Sequence, residues 1–503
     1  MTDTLLKAQK KQDELTGIIA TSEEIKDQRP LFHFATPGGW CNDPNGFSEF
    51  AGKIHLFYQY HPYSTQWGPM HWGHVTSGDF LKWQLEPVAL APDCEADFKG
   101  CFSGTAIEYE GKHLLAYTGV SENEEGEVQN QCLAFGDGKN YKKVSSQPVI
   151  TARDIPFDYI HAHFRDPKIW KKDGKIYMIC GLKQKDGKGC LVMFESADAK
   201  KWTYKGVIDS SRDGLSTMWE CPDISVVNGK ELLIFSPQEM KENYQLGFHD
   251  GNNSIYVSGK LDYEKCIFTR ERRPENNYTA ALVDYGIDFY APESLQLSDG
   301  RLIMTAWMQA WESYITPENY IWSGMMTLPR ELSLKNGRLY QKPVRELESW
   351  KSDARAGEIA GGKNECIFKK ARRHFELDLK SQSASGQINL SLAGGTEKVM
   401  LKINLDDKSI SFDRSESLVA GKIPYRKAKI RTEENAGGEN SQTGGKFKFQ
   451  IICDTCSLEV FINDGIMTFT NIFFMSDVLS DLVIENGTNQ SLTYDFWKIQ
   501  EKN

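Results

Sequence analysis

One short pattern recurs five times in the first two thirds of the 503-residue chain. Each copy has a turn that ends in Gly followed by Lys or Arg, and then a run of residues that favour β-strands. The glycine suits a hairpin, because a tight hairpin turn needs a positive φ. The five copies are FAGKIHLFYQY (50–60), YEGKHLLAYTG (109–119), KDGKIYMICGL (172–182), VNGKELLIFSP (227–237) and SDGRLIMTAWM (298–308).

The size of the repeated unit constrains the architecture. The repeat glycines are Gly52, Gly111, Gly174, Gly229 and Gly300, which are 59, 63, 55 and 71 residues apart. A strand-rich unit of this size cannot bury both faces of its own sheet, whereas radial packing of several units can. A long sandwich would not explain why the pattern ends after the fifth copy. The pattern therefore predicts a five-bladed β-propeller.

A different pattern begins after about Leu332. Short runs that alternate apolar and polar residues follow, such as HFELDLK, GQINLSL and SLEVFIND, and they are typical of an antiparallel β-sandwich. The first thirty residues favour a helix docked on the outside. We therefore predict an all-β chain with a helical extension at 1–29, a five-bladed β-propeller at 30–345 and a C-terminal β-sandwich at 346–503.

Composition and charge argue against several function classes. The net charge is -10 and no basic block exceeds a few residues, so a nucleic-acid partner is not expected. No apolar run is long enough to cross a bilayer or to form the core of a signal peptide. The 11 cysteines are scattered and odd in number, which indicates reduced thiols and a cytoplasmic location. The CDTC segment (453–456) lacks a second pair, so we interpret it as strand rather than metal site.

Carboxylates stand just upstream of three repeat glycines, at Asp43, Asp166 and Glu220. In a propeller the first strand of every blade lines the central channel, so matched positions meet at one mouth. An acid beside a proline is common in turns, but three at matched positions indicate a shared site. Glycoside hydrolysis uses one carboxylate at the anomeric carbon and one carboxylic acid at the leaving oxygen. The five upstream segments are NDPNG, CFSGTA, FRDPKIW, WECPDIS and FYAPESL.

The segments GGWCNDPNG, HFRDP and WECPD closely resemble the three signatures of glycoside hydrolase family 32, the invertase and fructan-hydrolase family. The resemblance extends from about Pro30 to the C-terminus, and within the family it is strongest to bacterial hydrolases of sucrose 6-phosphate. The fold of the family, a five-bladed propeller plus a β-sandwich, agrees with the repeat. The other matching segments are FYQYHP, WGPMHWGH, CFSGTA, DFYAPE, WSGMMTLPREL and SLEVFINDG.

The resemblance also implies roles for single residues. Asp43 is the expected nucleophile, Glu220 the general acid/base, and Asp166 the residue that binds fructosyl hydroxyls and stabilises the transition state. Cys41 and Thr105 depart from the usual family pattern, and we expect these changes to alter packing rather than chemistry. The substrate contacts carried over are Trp40, Cys41, Asn42, Gln59, Trp67, Phe102, Ser103 and Arg165.

The implied reaction is a double displacement at C2 of a β-fructofuranosyl unit, with retention of configuration. Asp43 must be ionised to attack, and we expect hydrogen bonds from nearby asparagines and backbone N–H groups to favour its charge. Arg165 is expected to keep Asp166 charged. No metal or other cofactor is expected, because the carboxylates carry the chemistry. Trp67 is predicted to wall the sugar, and Trp72 fits either a sugar wall or the core.

Several alternatives stay open from the sequence. An exo-acting hydrolase of inulin- or levan-type fructans would use the same residues, and so would a fructosyl transferase. A non-catalytic sugar-binding propeller is disfavoured because all three acids are present. The sandwich is expected either to brace the propeller through an apolar interface or to mediate a homodimer. The candidate phosphate partners are His61, His71, His74 and nearby Lys or Arg residues.

Overall fold

The computed structural model describes residues 2–124, 126–211, 216–243, 246–271, 280–431 and 447–502. The chain begins with helices α1 (Asp3–Thr21) and α2 (Glu23–Gln28). The Thr2 side chain caps α1 by accepting a hydrogen bond from the Leu5 N–H. Within the described part of the chain, no helix has the length and apolar character needed to cross a membrane.

Five sheets follow the helices, one for each copy of the repeat. Blade I contains β1 (Gly39–Phe50), β2 (Lys53–His61), β3 (His71–Ser77) and β4 (Gln84–Leu90). Blade II contains β5 (Gly100–Tyr109), β6 (Lys112–Asn123), β7 (Gly126–Gly136) and β8 (Tyr141–Lys143). Blade III contains β9 (Tyr159–Lys172), β10 (Lys175–Gln184), β11 (Gly189–Ser196) and β12 (Thr203–Ser210).

The last two blades differ slightly from the others. Blade IV contains β13 (Met218–Val227), β14 (Lys230–Gln238), β15 (Ile255–Asp262) and β16 (Ile267–Arg270), with β17 (Ala281–Leu282) paired to β15. Blade V contains β18 (Tyr290–Gln296), β19 (Leu302–Trp307), β21 (Arg330–Lys335) and β22 (Arg338–Pro343). Between β19 and β21 in sequence, β20 (Trp322–Ser323) returns to blade I and pairs parallel with β1.

The repeat glycines lie where the sequence predicts them, in the turns between the first and second strands of the blades. Their φ angles lie between 74° and 90°. In the first four blades the residue before the glycine also has a positive φ, as at Ala51 with 49°. Two consecutive positive values are typical of a type I′ hairpin, which matches the twist of the flanking strands.

The first strands of the blades form a closed ring, because each contacts the next and β18 contacts β1. Side chains join neighbouring first strands. Thr105 Oγ1 on β5 accepts from the Ile169 N–H at 2.9 Å and donates to the Pro167 carbonyl of β9 at 2.9 Å. Lys168 Nζ on β9 reaches Asp223 Oδ2 on β13 at 2.7 Å and the Ser294 carbonyl on β18 at 2.9 Å. The prediction of a five-bladed propeller is confirmed.

Two six-stranded antiparallel sheets form the C-terminal sandwich, as predicted. The first has the order β23 (Lys351–Ile359), β34 (Leu492–Ile499), β25 (Phe375–Ser381), β30 (Phe447–Asp454), β31 (Ser457–Ile462) and β32 (Met467–Ile472). The second has the order β24 (Lys363–Arg372), β33 (Leu479–Asn486), β26 (Gln387–Gly394), β27 (Glu397–Asn404), β28 (Ser409–Glu416) and β29 (Tyr425–Lys429). Two short 3₁₀ helices, Ala152–Asp154 and Arg345–Trp350, precede β9 and β23.

The contact between propeller and sandwich is partly apolar and partly ionic, whereas the sequence predicted an apolar surface. Phe461 and Ile472 of the sandwich pack among propeller residues. Beside them Arg330 of β21, which is fully buried, donates to Asp284 Oδ2 at 3.0 Å and to the Glu459 carboxylate of β31. Each buried charge is stabilised by an opposite charge, which is the condition under which charges can leave water.

His33 belongs to the same ionic layer. Its Nδ1 lies 2.8 Å from Asp454 Oδ2 and its Nε2 lies 2.8 Å from Glu459 Oε1, with the ring fully buried. Burial alone would lower the pKa of His33, but its hydrogen bonds to the two carboxylates outweigh burial and raise the pKa to about 9. His33 therefore carries a positive charge at neutral pH and connects the segment before β1 to the sandwich.

We expect His33→Asn to lower the melting temperature more at pH 6 than at pH 10. The stabilisation from a histidine with a raised folded pKa is complete below the unfolded value and is lost as pH rises through about 9. Thermal unfolding of both proteins at the two pH values measures this. Lys26→Gln, which breaks an exposed ion pair with Glu23, is the control and should change little. An equal loss at both pH values would contradict a charged His33.

Candidate active site

Each first strand loses register with its neighbour at the segment that the sequence singled out. In four blades two residues on the first strand face one residue on the second, which defines a β-bulge. In blades III, IV and V the bulge contains a proline, which cannot donate to the ladder and so suits the unpaired position. The extra pairs are Asn42 and Asp43, Asp166 and Pro167, Cys221 and Pro222, and Ala291 and Pro292. In blade II the single extra residue is Ser103.

Three bulge residues adopt a left-handed backbone that side chains disfavour. The φ angles are 65° at Asp166, 45° at Cys221 and 50° at Ala291. Such conformations cost on the order of 1–3 kcal/mol each and persist only where the surroundings hold them. The closed ring supplies that restraint. The bulges break the strict alternation of the strands and bring side chains from different blades to one place.

Asp43 and Asp166 lie on either side of Cys221. The Cys221 N–H donates to Asp166 Oδ2 at 2.9 Å, and the Cys221 Sγ lies 3.6 Å from both Asp166 Oδ2 and Asp43 Oδ2. Ser103 Oγ donates to Asp43 Oδ2 at 2.7 Å, and Asn42 Nδ2 donates to Asp43 Oδ1 at 3.1 Å. Residues from blades I, II, III and IV therefore meet around these two carboxyl groups.

Glu220 is held by two donors. Arg165 donates from Nη2 and Nε to Glu220 Oε1 at 2.8 and 3.0 Å, and the Tyr290 hydroxyl donates to Oε2 at 2.5 Å. Arg165 is expected to keep Asp166 charged, but its guanidinium group lies 3.9 Å from that carboxyl group. Arg165 stands just before the bulge of β9, and its side chain instead reaches Glu220 on β13 of the neighbouring blade.

Burial changes the protonation of the two aspartates. Desolvation raises the pKa of Asp43, and the hydrogen bonds from Ser103 and Asn42 oppose this shift without cancelling it. Desolvation also raises the pKa of Asp166 to about 7, with Arg165 opposing the shift and Glu220 adding to it. The predicted hydrogen bonds to Asp43 are present, but burial outweighs them. The site therefore keeps protons near neutral pH.

These side chains line a cavity of about 330 Å³. Trp67 is half exposed at its edge and packs edge-on against Phe102 with ring centroids 6.1 Å apart. Trp72 lies in the core of blade I against Phe57 and does not line the cavity. The predicted residues that line the cavity are Asn42, Asp43, Gln59, Trp67, Phe102, Ser103, Arg165, Asp166 and Glu220.

Two predicted contact residues lie behind the cavity wall. Trp40 is buried, and its ring stacks on that of Trp311, a cavity residue, at 6.1 Å. Its indole Nε1 also donates to Asn42 Oδ1 at 2.8 Å. Cys41 is fully buried and packs closely against Gly324, where an added Cβ would lie 1.9 Å from the Cys41 carbonyl. These two residues therefore support the wall without lining the cavity.

The cavity also includes residues that the sequence did not single out. They come from the strands and loops of blades II to V, where no repeated motif marks them. Tyr290 does not line the cavity but bonds Glu220, and its matched position before the blade V bulge, within the FYAPESL segment, could have singled it out. The additional lining residues are Glu127, Gln129, Ala162, His163, Gln238, Asn252 and Trp311.

The three histidines proposed as phosphate partners do not line the cavity. His74 is fully buried against Phe57, and its Nε2 lies 3.0 Å from His55 Nδ1. His61 and His71 both lie beside the Pro69 carbonyl, at 3.2 and 3.0 Å. Their ring nitrogens thus contribute to the packing of blade I.

One cluster of metal-ligand side chains occurs among the described residues, at Asp93, Cys94 and Asp97. Lys143 Nζ lies 2.6 Å from Asp97 Oδ2 and also bonds Asp93, so an ammonium group already neutralises the cluster. All eleven cysteines are free thiols, including Cys453 and Cys456 of the CDTC segment.

The sequence matches two descriptions of one enzyme family. Residues 33–343 match the glycosyl hydrolases family 32 N-terminal domain, and residues 339–498 match the family 32 C terminal domain. The chain belongs to glycoside hydrolase family 32. The observed propeller, sandwich and cluster of carboxyl groups agree with this membership.

Individual relatives support the same assignment. A sucrose-6-phosphate hydrolase of Escherichia coli is 36% identical over 453 residues, which cover 87% of both chains. A solved sucrose-6-phosphate hydrolase from Lactobacillus gasseri superposes with a TM-score of 0.83 at 26% identity, covering 98% of this chain and 96% of that one. A mutant family 32 β-fructofuranosidase of Bombyx mori in complex with sucrose superposes with a TM-score of 0.82 at 28% identity, covering 98% of each.

Glu293 provides a test of the electrostatics beneath the cavity. It lines a second cavity of about 20 Å³ together with Asp166, Cys221 and Asp223. Burial raises the pKa of Glu293 to about 8, with the Lys168 ammonium opposing the shift and Asp223 adding to it. A buried carboxyl with a raised pKa stays protonated at neutral pH and opposes folding when it must ionise.

We expect Glu293→Gln to raise the melting temperature at pH 9 by about 2–5 °C and to change it little at pH 5. The wild-type carboxyl keeps its proton in the folded state between its ordinary pKa and about 8, so stability falls as pH rises through that window. The amide removes the titration. Glu108→Gln, at an exposed acid paired with Lys171, is the control. Equal melting temperatures of the wild type and Glu293→Gln at pH 9 would contradict a raised pKa for Glu293.

Proposed function

We propose that this chain is a β-fructofuranosidase that cleaves the terminal β-D-fructofuranosyl unit of sucrose 6-phosphate and sucrose with retention of configuration. The observation that carries the proposal is the meeting of Asp43, Asp166 and Glu220 at one cavity. A volume of about 330 Å³ lies within the range of small-molecule sites. Family membership and the names of the relatives support the same activity.

In the first step the ionised Asp43 carboxylate attacks C2 of the fructosyl unit and forms an ester. The bond between C2 and the glycosidic oxygen breaks, and Glu220 gives its proton to that oxygen. The Tyr290 hydroxyl, 2.5 Å from Glu220 Oε2, can accept as well as donate. Its contact can therefore persist whether Glu220 is protonated or ionised.

In the second step Glu220 acts as the base. Esterified Asp43 no longer carries a charge, so a negative charge on Glu220 is opposed less strongly. Glu220 accepts a proton from water, and the resulting hydroxide attacks C2 from the face that the glucosyl group left. Fructose then departs with its original configuration, and Asp43 regains its charge.

Asp166 has a different role in the proposal. Its Oδ2 accepts the Cys221 N–H at 2.9 Å, which fixes the carboxyl group beside Asp43. We assign it to the fructosyl hydroxyl groups, where charge-assisted hydrogen bonds strengthen as positive charge develops on the ring. Gln59, Asn42 and Ser103 complete the fructosyl side of the cavity.

The alternatives from the sequence have less support. Curated relatives at 32–36% identity are named sucrose-6-phosphate hydrolases, which favours a sucrose-type substrate over inulin- or levan-type fructans. A propeller that only binds sugar would not require a glutamate that is held by Arg165 and Tyr290 at the same cavity as two aspartates. Fructosyl transfer would use the same intermediate with a sugar in place of water.

For the phosphate group of sucrose 6-phosphate we propose as donors His163 and, close to it, Lys183, which is not itself part of the cavity lining. His163 lines the cavity, and its Nδ1 accepts from Arg165 Nη1 at 3.0 Å, which leaves Nε2–H free to donate. Lys183 Nζ donates to Thr217 Oγ1 at 3.2 Å and lies 3.9 Å from Glu239. Burial lowers the pKa of His163 to about 4, and the charges of Arg165 and Lys183 add to this shift. His163 is therefore neutral near pH 7, and Lys183 supplies the positive charge for the phosphate.

The remaining parts of the proposal concern organisation. We propose that residues 1–29 form a helical extension, residues 30–345 the catalytic propeller and residues 346–503 the sandwich. The eleven free thiols support a cytoplasmic location, and the net charge of -10 supports the absence of a nucleic-acid partner.

We also propose that the chain forms a homodimer through the sandwich. Light scattering coupled to size-exclusion chromatography measures the oligomeric state.

Asp43→Asn and Glu220→Gln should fold normally and lose turnover of sucrose. Removing the general acid/base should lower kcat by about 10²–10⁴-fold, and removing the nucleophile by at least as much. Release of reducing sugar measures the rate, circular dichroism checks the fold, and NMR of the first-formed fructose anomer tests retention. Wild-type turnover in either variant, or an inverted anomer, would exclude the mechanism.

Lys183→Met should lower kcat/KM for sucrose 6-phosphate by about 10-fold or more and leave kcat/KM for sucrose unchanged. A charge-assisted hydrogen bond to phosphate contributes about 1.5–3 kcal/mol, and plain sucrose offers no partner for it. Lys185→Met, two residues away and paired with exposed Asp158, is the matched control. Equal losses for both sugars would refute a phosphate contact, and a wild-type preference for plain sucrose would refute the phosphorylated substrate.

A further inference from the structure

The sandwich sends one fully buried side chain into the propeller beside the active site. Arg414 lies on β28 and is 0% exposed. Its Nη1 donates to Asp288 Oδ2 at 2.8 Å and to the Ile472 carbonyl at 2.9 Å. Its Nη2 donates to the Ser313 carbonyl at 3.0 Å. A guanidinium group directs these donors in a fixed plane, so the three acceptors are held in one arrangement.

Ser313 belongs to a tight turn that carries part of the cavity wall. Its N–H donates to the Ala310 carbonyl at 3.0 Å, and the N–H of Tyr314 donates to the same carbonyl at 2.9 Å. The Ser313 hydroxyl donates to the Ile287 carbonyl at 3.0 Å. The Ser313 hydroxyl therefore fixes the turn to Ile287, the residue before Asp288, which Arg414 also binds.

The two residues before Ser313 both act on the cavity. Trp311 lines the cavity, and its ring packs at 5.0 Å against Trp307 and at 6.1 Å against Trp40. Glu312 Oε1 accepts the N–H of Asn252 at 2.8 Å, and Asn252 lines the same cavity. A shift of this turn would therefore move two parts of the wall, one from blade V and one from blade IV.

We infer that Arg414 of the sandwich is a positioning residue for sugar binding, acting through the turn at 310–314 on Trp311 and Asn252. The carboxyl groups lie on the first strands, and the ring holds the backbone of those strands independently of this turn. Loss of the Arg414 contact should therefore weaken sugar binding while leaving the chemical step largely unchanged. This inference rests on the proposed function for its substrate.

Arg330 offers a matched comparison at the same interface. It is also fully buried, and it bonds Asp284 of the propeller and Glu459 of the sandwich. Its hydrogen bonds also reach Gln341, Thr468 and Thr470, none of which lines the cavity. Substitution of either arginine weakens the interface, but the two differ in their connection to the wall.

The test compares Arg414→Lys with Arg330→Lys. Both should lower the melting temperature. Arg414→Lys should raise KM for sucrose about 3–10-fold with kcat within about 2-fold of wild type, because the single nitrogen of lysine cannot reproduce the planar Nη1 and Nη2 donors that reach Asp288, Ile472 and Ser313. Arg330→Lys should leave KM unchanged. Equal changes in KM for the two variants, or no change for Arg414→Lys, would overturn the inference.

Two further measurements complete the test. Trp311→Ala should raise KM by itself, and adding Arg414→Lys to it should raise KM by a smaller factor than Arg414→Lys does alone, because only the part that acts through Asn252 remains. Should Arg414→Lys fail to fold, Ser313→Ala removes the hydroxyl contact at the base of the turn and should raise KM in the same direction. Fructose titration followed by tryptophan fluorescence makes the comparison without turnover, so an inactive wild type would refute the proposed function alone.

Discussion

The closed ring of first strands is the constraint on which the rest of this structure depends. Each strand carries its bulge at the segment that faces the site, and three bulge residues adopt left-handed φ angles that would relax in an isolated hairpin. The ring prevents that relaxation, because its ends are joined by the pairing of β20 with β1 and its members by Thr105 and Lys168. The strained bulges therefore hold the carboxyl groups of Asp43, Asp166 and Glu220 in fixed positions relative to one another. These residues are 54 to 177 positions apart along the chain.

The electrostatics of the site follow from that enforced proximity. Arg165 is the guanidinium group beside these acids, and it donates two hydrogen bonds to Glu220 but none to its chain neighbour Asp166. Burial then raises the pKa of Asp43 and that of Asp166, so full ionisation of all three acids is disfavoured near neutrality. Double displacement needs one acid that is ionised and another that still holds a proton to deliver. A binding site without chemistry would gain nothing from burying three acids at this cost.

The sequence predicts those features that local chemistry repeats. The turn glycines predict the hairpins, because the positive φ of a tight turn is a local requirement. The acids can be identified because the five segments upstream of the glycines share one position relative to those turns. The partner of Arg165 could not be predicted, because it depends on which neighbouring blade the side chain reaches just before the bulge of β9. Gln238, Asn252 and Trp311 come from strand ends and loops that do not repeat. The buried pair of Arg330 and Glu459 joins residues 129 apart, and nothing in either segment indicates the other.

The ionic layer between the two halves connects the sandwich to the site along a second route. The N–H groups of Tyr285 and Asp288 donate to the carbonyls of Thr468 and Thr470 at 2.9 and 3.1 Å, so the segment before β18 is bonded to the backbone of β32. Two residues beyond Asp288, Tyr290 begins β18 and bonds Glu220. The sandwich thus bonds the start of the strand that supports Glu220 and, through Arg414, the turn that carries Trp311. An apolar interface would hold the halves together but would tolerate sliding, whereas buried ion pairs and backbone hydrogen bonds admit one register. The polar character of this interface is therefore what makes the sandwich part of the active-site scaffold.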